Sequence, residues 1–268
     1  MADVDEHGRR SDPEAGLPLI GLTRERRALM AAIRRRSSCL LLGPAGSGKT
    51  RLLESVVQPN SLPGWFVWVP GFETPRQLLV LLARELFRSG HGALRRLAGA
   101  GGDWDRFLNE HTSVYLRGLL WEALEAEPGT LILDGVQNAG HPTYRFLQRV
   151  YFMRGMSIIV SARRHSDLGV LGRLFWDPRE TVHVSPLSEA EARRLFEAAA
   201  AFFHLQIVDL EDFRRRVLDS ARGHPGEIIA MCRLAADPRF SSGGRAKFAL
   251  IKIEALMRHL DGPGTFRH

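Results

Sequence analysis

Two stretches decide the fold: SSCLLLGPAGSGKT at residues 37–50 and TLILDGVQNAG at residues 130–140. In the first, an apolar run ending at Leu42 enters Gly43-x4-Gly48-Lys49-Thr50, a match to G-x-x-x-x-G-K-[ST] without exception. That motif has chemical meaning only between a strand and a helix, and the flanks SCLLL and KTRLLESVV supply them. Its glycines let successive backbone N–H groups curl around phosphate oxygens, and the helix start adds partial positive charge. Gly43, Pro44, Ala45, Gly46, Ser47, Gly48, Lys49 and Thr50 are therefore assigned to a nucleoside triphosphate. Lys49 is expected to reach the β and γ phosphates and Thr50 to ligate Mg2+. A chance Gly-rich turn is the bland alternative.

The second stretch places Asp134 at the carboxyl end of an apolar strand, where open α/β sheets bind their ligands. An aspartate there is suited to hold Mg2+ with Thr50. Gly135 follows it and has no side chain to polarise water. Gln137 and Asn138 can orient a water molecule but cannot take its proton. Glu73, just after the second strand, is the substitute carboxylate to consider, against a plain role at a helix start. Ser161 ends the fourth strand and is assigned to the attacking water or the γ phosphate, with Arg163 and Arg164 behind it. Arg173 and Arg179 lie in the following loop; Arg173 is assigned to a nucleotide held by a neighbouring subunit, with Arg179 as the alternative and a solvated loop arginine as the bland reading of both.

Working outward, strands and helices alternate, as in a parallel sheet with crossover helices. TRERRALMAAIRRR reads as a helix with Leu29, Met30 and Ile33 on one face. Strands are expected at WFVWV, TLILD, SIIVS and TVHV. Thr74, Pro75 and Gly90 bracket a helix as cap, first residue and stop. HGALRRLAGAGGDWD reads as a Gly-rich insert before the helix VYLRGLLWEALEAE. From Pro186 onward the pattern is helical: Ser188 and Glu191 form a capping box, Asp209 opens a second helix, Pro225 begins a third, and SSGG at 241–244 precedes a last helix over 245–260. The expected organisation is a disordered tail over 1–18, an α/β domain over 19–185, and a helical lid with a C-terminal helix over 186–268.

Composition narrows the class. Of 268 residues, 44% are hydrophobic and 25% charged, which suits a globular core. Without an apolar run of about 18 residues or a signal-like N-terminus, the expectation is a cytoplasmic protein with no membrane partner. Cys39 and Cys232 sit in apolar segments and read as buried thiols. The net charge is +7, carried by 37 basic residues of which only Lys49, Lys247 and Lys252 are lysine. Such an arginine bias fits genomic base composition as well as phosphate contacts, so DNA stays open as a partner.

PLIGLTRERRALMAAI, LLLGPAGSGKT, LILDGVQ, IIVSARR and ARGHPGEIIAMC together resemble the AAA+ P-loop ATPases, in the branch of origin-recognition and transposition-regulator (TniB-like) ATPases and the related STAND signalling ATPases. The resemblance implies ATP as nucleotide, a P-loop NTPase fold of parallel sheet plus small helical lid, and a base-flanking role for Ile20 and Gly21. It also implies that the G-x-P step of Gly223, His224 and Pro225 lies near the adenine, a helix stop followed by a first-turn proline being the alternative. Two departures stand out: Gly135 replaces the usual second acid, and the GHPG step holds no arginine, which leaves Arg222 as stand-in for the lid sensor. The expected function is an ATP-dependent switch that hydrolyses slowly and acts through self-association or a separately encoded partner. The alternative is a non-hydrolysing nucleotide-binding interaction module; a small-molecule kinase fits less well, for want of an acceptor motif.

Overall fold

The computed structural model describes residues 14, 16–57, 64–99 and 104–261. Most of the tail expected over 1–18 lies outside them, but Leu17 is within and is buried. The chain divides into two compact units. The sheet unit holds Thr23–Pro44 and Lys49–Val184; the helical unit holds Met1–Leu22, Ser185–His268 and the phosphate-loop tip, Ala45–Gly48.

In the sheet unit, β1 (Cys39–Leu42), β2 (Phe66–Val69), β3 (Thr130–Leu133), β4 (Ser157–Ala162) and β5 (Thr181–His183) form one sheet in the order β2-β3-β4-β1-β5. Every pairing is parallel. The three central strands, β1, β3 and β4, are buried at every residue, which is why they read as unbroken apolar runs. Helices α1 (Thr23–Arg34), α2 (Lys49–Val57), α3 (Pro75–Arg88), α6 (Ser113–Ala126) and α7 (His141–Phe152) connect and cover them. Local chemistry sets the starts: Thr74 accepts from Gln77 N at 3.1 Å to cap α3, and Thr112 accepts from Tyr115 N at 3.3 Å to cap α6. Leu78, Leu82 and Leu86 of α3 meet Leu116, Leu120 and Leu124 of α6 and Phe146 of α7 in one core with the strand side chains. Burying each such side chain contributes about 1.5–3 kcal/mol.

The sequence expectation fails in two places here. The Gly-rich insert is largely helical, forming α4 (Gly92–Ala98) and α5 (Trp104–Glu110) on either side of 100–103, which lie outside the described residues. Helix α4 is capped by a buried histidine: His91 Nδ1 accepts from Leu94 N at 3.2 Å, and its other ring nitrogen meets Glu127 O at 3.1 Å. Helix α7, for which no helix was expected, has no side-chain cap: its N-cap is Gly140, and its start signal is Pro142 in the first turn.

The helical unit packs α8 (Glu189–Phe202), α9 (Leu210–Ala221), α10 (Pro225–Ala235) and α11 (Phe248–Asp261) around Phe196, Phe213, Val217, Ile228, Met231 and Ile251, with Leu17 in the same core. The Ser188–Glu191 capping box is formed in both directions, and Asp209 caps α9. Residues 241–246 form a hairpin where SSGG and a helix start at 245 were expected: β6 (Ser241–Ser242) pairs antiparallel with β7 (Arg245–Ala246) through Gly243 and Gly244, at φ 56° and 73°. Both values need left-handed backbone, as a two-residue hairpin turn does. The last helix therefore begins at Phe248, not Arg245. Among the described residues, no helix is long and apolar enough to cross a membrane.

Candidate nucleotide-binding site

The sheet order brings three strand ends side by side. β4 lies between β1 and β3, and the β3–β4 register pairs Leu133 with Val160, so the next residues, Asp134 and Ser161, emerge as neighbours. β1 pairs Leu42 with Ala162 of β4, and Gly43 N continues that pairing to Ala162 O at 3.3 Å. Lys49 and Thr50 open α2, which returns from the loop onto the same edge.

Asp134 is the hub. Its Oδ2 accepts from Thr50 Oγ1 at 2.7 Å, and its Oδ1 accepts from Ser161 Oγ. Ser161 in turn accepts from Gly135 N at 2.9 Å. The backbone fixes the same corner, with Asp134 N donating to Val69 O at 2.9 Å and Val136 N to Ser161 O at 3.0 Å. Lys49 Nζ donates to Gly43 O at 2.6 Å and Pro44 O at 2.8 Å. Its pKa is lowered, first by burial and further by Arg163, while the Asp134 carboxylate pulls the other way. Lys49, Thr50, Asp134 and Ser161 are thus brought together.

The geometry fits a hard divalent cation. Thr50 turns its hydroxyl proton toward Asp134, which leaves its oxygen lone pairs for a metal, and the carboxylate supplies charge. It also gives the Ser161 hydroxyl a partner: the side chain is fully buried and donates its proton to Asp134.

In the helical unit, Gly46 and Gly48 at the loop tip have φ 72° and 89°, conformations that glycine adopts at low cost. Ser47 Oγ is buried with no hydrogen-bond partner. A buried hydroxyl left so costs about 1–3 kcal/mol, which points to a ligand at the loop. Gly46 O accepts from Gly226 N at 3.0 Å, and a Cβ on Gly226 would lie 2.9 Å from Gly46 Cα. Gly226 stands in the GHPG step, and no local sequence signal marks it for this close approach. Gly21, at φ 75°, sits where a Cβ would be 2.7 Å from Leu187, and Ile20 packs against the core of this unit. Pro225 opens α10 behind its cap, His224.

Among the described residues, the remaining candidates make no side-chain hydrogen bond or ion pair with this cluster. Gln137 and Glu73 are exposed, and Glu73 falls one residue before the α3 cap, outside the helix. Asn138 takes left-handed φ of 47° and donates its N–H to Asp167 O at 2.7 Å. Arg179 is tied to Asp177 at 3.0 Å and Arg164 to Asp167 at 3.4 Å. Arg173 is exposed and makes no ion pair among the described residues. A groove of about 440 Å³ between α8 and α9 includes Arg222 but no phosphate-loop residue.

Residues 33–170 match the AAA domain family. The chain belongs to this family. This AAA domain has the P-loop NTPase fold, and solved structures share it. A Walker-type ATPase of Pyrococcus abyssi superposes with a TM-score of 0.61 at 13% identity, over 91% of this chain and 75% of that one. The ORC1 protein of Aeropyrum pernix, solved in complex with DNA, gives 0.56 at 16% identity, over 92% and 67%. A signal transduction ATPase with numerous domains (STAND) from Pyrococcus horikoshii, bearing a tetratricopeptide repeat sensor, gives 0.52 at 20%, over 92% and 33%. The chain thus spans about a third of that STAND protein. At these identities the likeness is one of fold. No curated protein matches the sequence. Family and fold together make this chain a nucleotide-binding AAA+ module.

Proposed function

We propose that this AAA domain is an ATP-dependent molecular switch that hydrolyses slowly by itself and faster when assembled. One observation carries the reading: Thr50 and Asp134 form a hydroxyl–carboxylate pair beside Lys49, while the position after Asp134 is glycine. Lys49 would hold the β and γ phosphates, and Thr50 and Asp134 would hold Mg2+. The cation would neutralise phosphate charge. No carboxylate follows Asp134 to take a proton from water, which supports slow turnover. Arg173, exposed and without an ion pair among the described residues, is the candidate to stabilise transition-state charge on a neighbouring subunit's nucleotide. Two states of different ATP affinity would make the switch.

A second reading keeps the same site but no turnover. Gly135 has φ 73°, a backbone that disfavours a glutamate there, and this supports a module that binds ATP without hydrolysing it. Calorimetric ATP titration with and without Mg2+ tests the shared part. Lys49→Ala should abolish binding, and Asp134→Asn should weaken only the Mg2+-dependent component. Unchanged binding by folded Lys49→Ala removes the site assignment, and phosphate release separates the two readings.

A further inference from the structure

We propose that the outer face of α1 is a binding surface for the phosphate backbone of duplex DNA. The helix buries Leu29, Ala32, Ile33 and the only acid it has, Glu25. On the opposite side, at helical spacing, stand Arg24, Arg27 and Arg34, with Arg35 just past the helix end, all exposed. None of the four makes a side-chain hydrogen bond or ion pair among the described residues. Two more exposed arginines flank the stripe but meet only neutral carbonyls: Arg26 donates to Ser55 O at 3.2 Å, and Arg36 to Gly155 O at 3.0 Å. Among the described residues neither has a carboxylate partner.

Arginine-rich composition accounts for the number of arginines but not for this placement. Some exposed arginines elsewhere take carboxylate partners, as in Arg84–Asp105, Arg106–Glu110 and Arg239–Asp237, and others such as Arg173 stand singly; what sets this stripe apart is four arginines, unpaired among the described residues, aligned on one face. A stripe without partners repels itself, at a cost that a bound polyanion would offset.

The form of the stripe favours duplex DNA. Between its two arginine pairs lie Ala28 and Ala31, so nothing large keeps a ligand off the helix. Arg24 and Arg34 are ten residues apart, about 15 Å along the axis. Duplex DNA carries one charge per ~1.7 Å of its own axis, so each guanidinium in such a row meets a phosphate whatever the sequence. The guanidinium fork takes phosphate oxygens two at a time. A helix about 10–12 Å wide also suits the roughly 12 Å major groove of B-form DNA better than the deep, narrow groove of duplex RNA. The face has no large apolar side chain to enter a membrane. The proposal stands without the nucleotide reading, because it uses no residue of the phosphate loop.

The test is fluorescence anisotropy with a labelled 30-base-pair DNA duplex of mixed sequence, in salt from 50 to 200 mM. Four phosphate contacts give a log–log salt slope of about −3.6, or on the order of a hundredfold loss of affinity over that range. The variant Arg24→Gln/Arg27→Gln/Arg34→Gln/Arg35→Gln should lose at least tenfold affinity at 50 mM and most of that slope, with its circular dichroism spectrum unchanged. Arg34→Gln/Arg35→Gln should lose about half the slope and serves if the fourfold variant misfolds. A control of the same net charge, Arg106→Gln/Arg149→Gln/Arg216→Gln/Arg239→Gln, removes paired arginines and should keep the slope. The proposal is overturned if the wild type does not bind, if the control loses as much as the stripe variant, or if duplex RNA or anionic vesicles bind as tightly as the DNA.

Discussion

Removal of the Ser161 hydroxyl separates two accounts of that residue. As seen here, Ser161 Oγ donates to Asp134 and accepts from Gly135 N at 2.9 Å, entirely out of solvent. Ser161→Ala leaves the Gly135 N–H, in a part-buried bond, facing a methyl group, a loss toward the low end of the ~1–3 kcal/mol for an unmet donor. The lost bond to the carboxylate adds about 1 kcal/mol, a low value for a charged acceptor because Thr50 still serves the other oxygen. A total of roughly 2–3 kcal/mol corresponds to a fall in melting temperature of about 5–10 °C for a chain of this size. The assay is a thermal melt of nucleotide-free protein followed by near-ultraviolet circular dichroism, beside ATP titration with Mg2+. The account expects the melting point to fall without any nucleotide present, with Mg2+-dependent binding weakened through a loosened Asp134. An unchanged melting point combined with lost hydrolysis would refute it, and would return Ser161 to the γ phosphate.

Three other outcomes follow from the same geometry. Lys49 has its pKa lowered by burial, so the folded state binds fewer protons than the unfolded one between the lowered value and 10.5. Its penalty is therefore full at neutral pH and fades as pH rises through that window; urea denaturation should show wild type gaining on Lys49→Met from pH 7 to 10.5, and a constant difference would contradict this. Gly226→Ala presses a methyl group against the Gly46 backbone, at a cost of about 1–3 kcal/mol, and should weaken ATP binding, whereas Gly118→Ala, which meets nothing within 4 Å, should stabilise by up to ~1 kcal/mol; calorimetry of both variants checks the contrast. Cys39 and Cys232 are both pushed up to about 12, Cys39 by burial and the Glu180 charge and Cys232 by burial, which leaves a thiolate fraction of ~10⁻⁴ at pH 8. Neither should react with a thiol reagent until urea unfolds the protein.

The strands were legible because burial on both faces writes itself as uninterrupted apolar sequence, as in Leu40–Leu42 and Ile158–Val160. Caps with a side-chain oxygen were legible too: Thr74, Ser188 and Asp209 each start a helix where expected. What failed lacked such a signal. Helix α7 starts at an uncapped glycine, and α4 uses a histidine whose capping nitrogen is fixed by Glu127, thirty-six residues away. In the candidate site, the positions of the phosphate-loop motif and of Asp134 were legible because each is local to one strand end. The partner of the Ser161 hydroxyl was not, because it depends on which strand lies next to β3, and the sheet order places β4 there although β4 follows β3 by way of a whole helix. Gly226 was hidden for the same reason: its constraint is Gly46, 180 residues earlier in the chain.

The measurement that bears most directly on the central claim is ATP turnover per subunit across a protein concentration series, with oligomer size followed by sedimentation in the same samples. Binding by Lys49, Thr50 and Asp134 without a carboxylate at 135 predicts tight ATP binding and slow turnover in the monomer. Turnover should rise with assembly, and Arg173→Ala should remove that rise while leaving ATP affinity intact. Rapid turnover in a sample shown to be monomeric would contradict the account and point to a base within the chain, with Glu73 the first residue to replace.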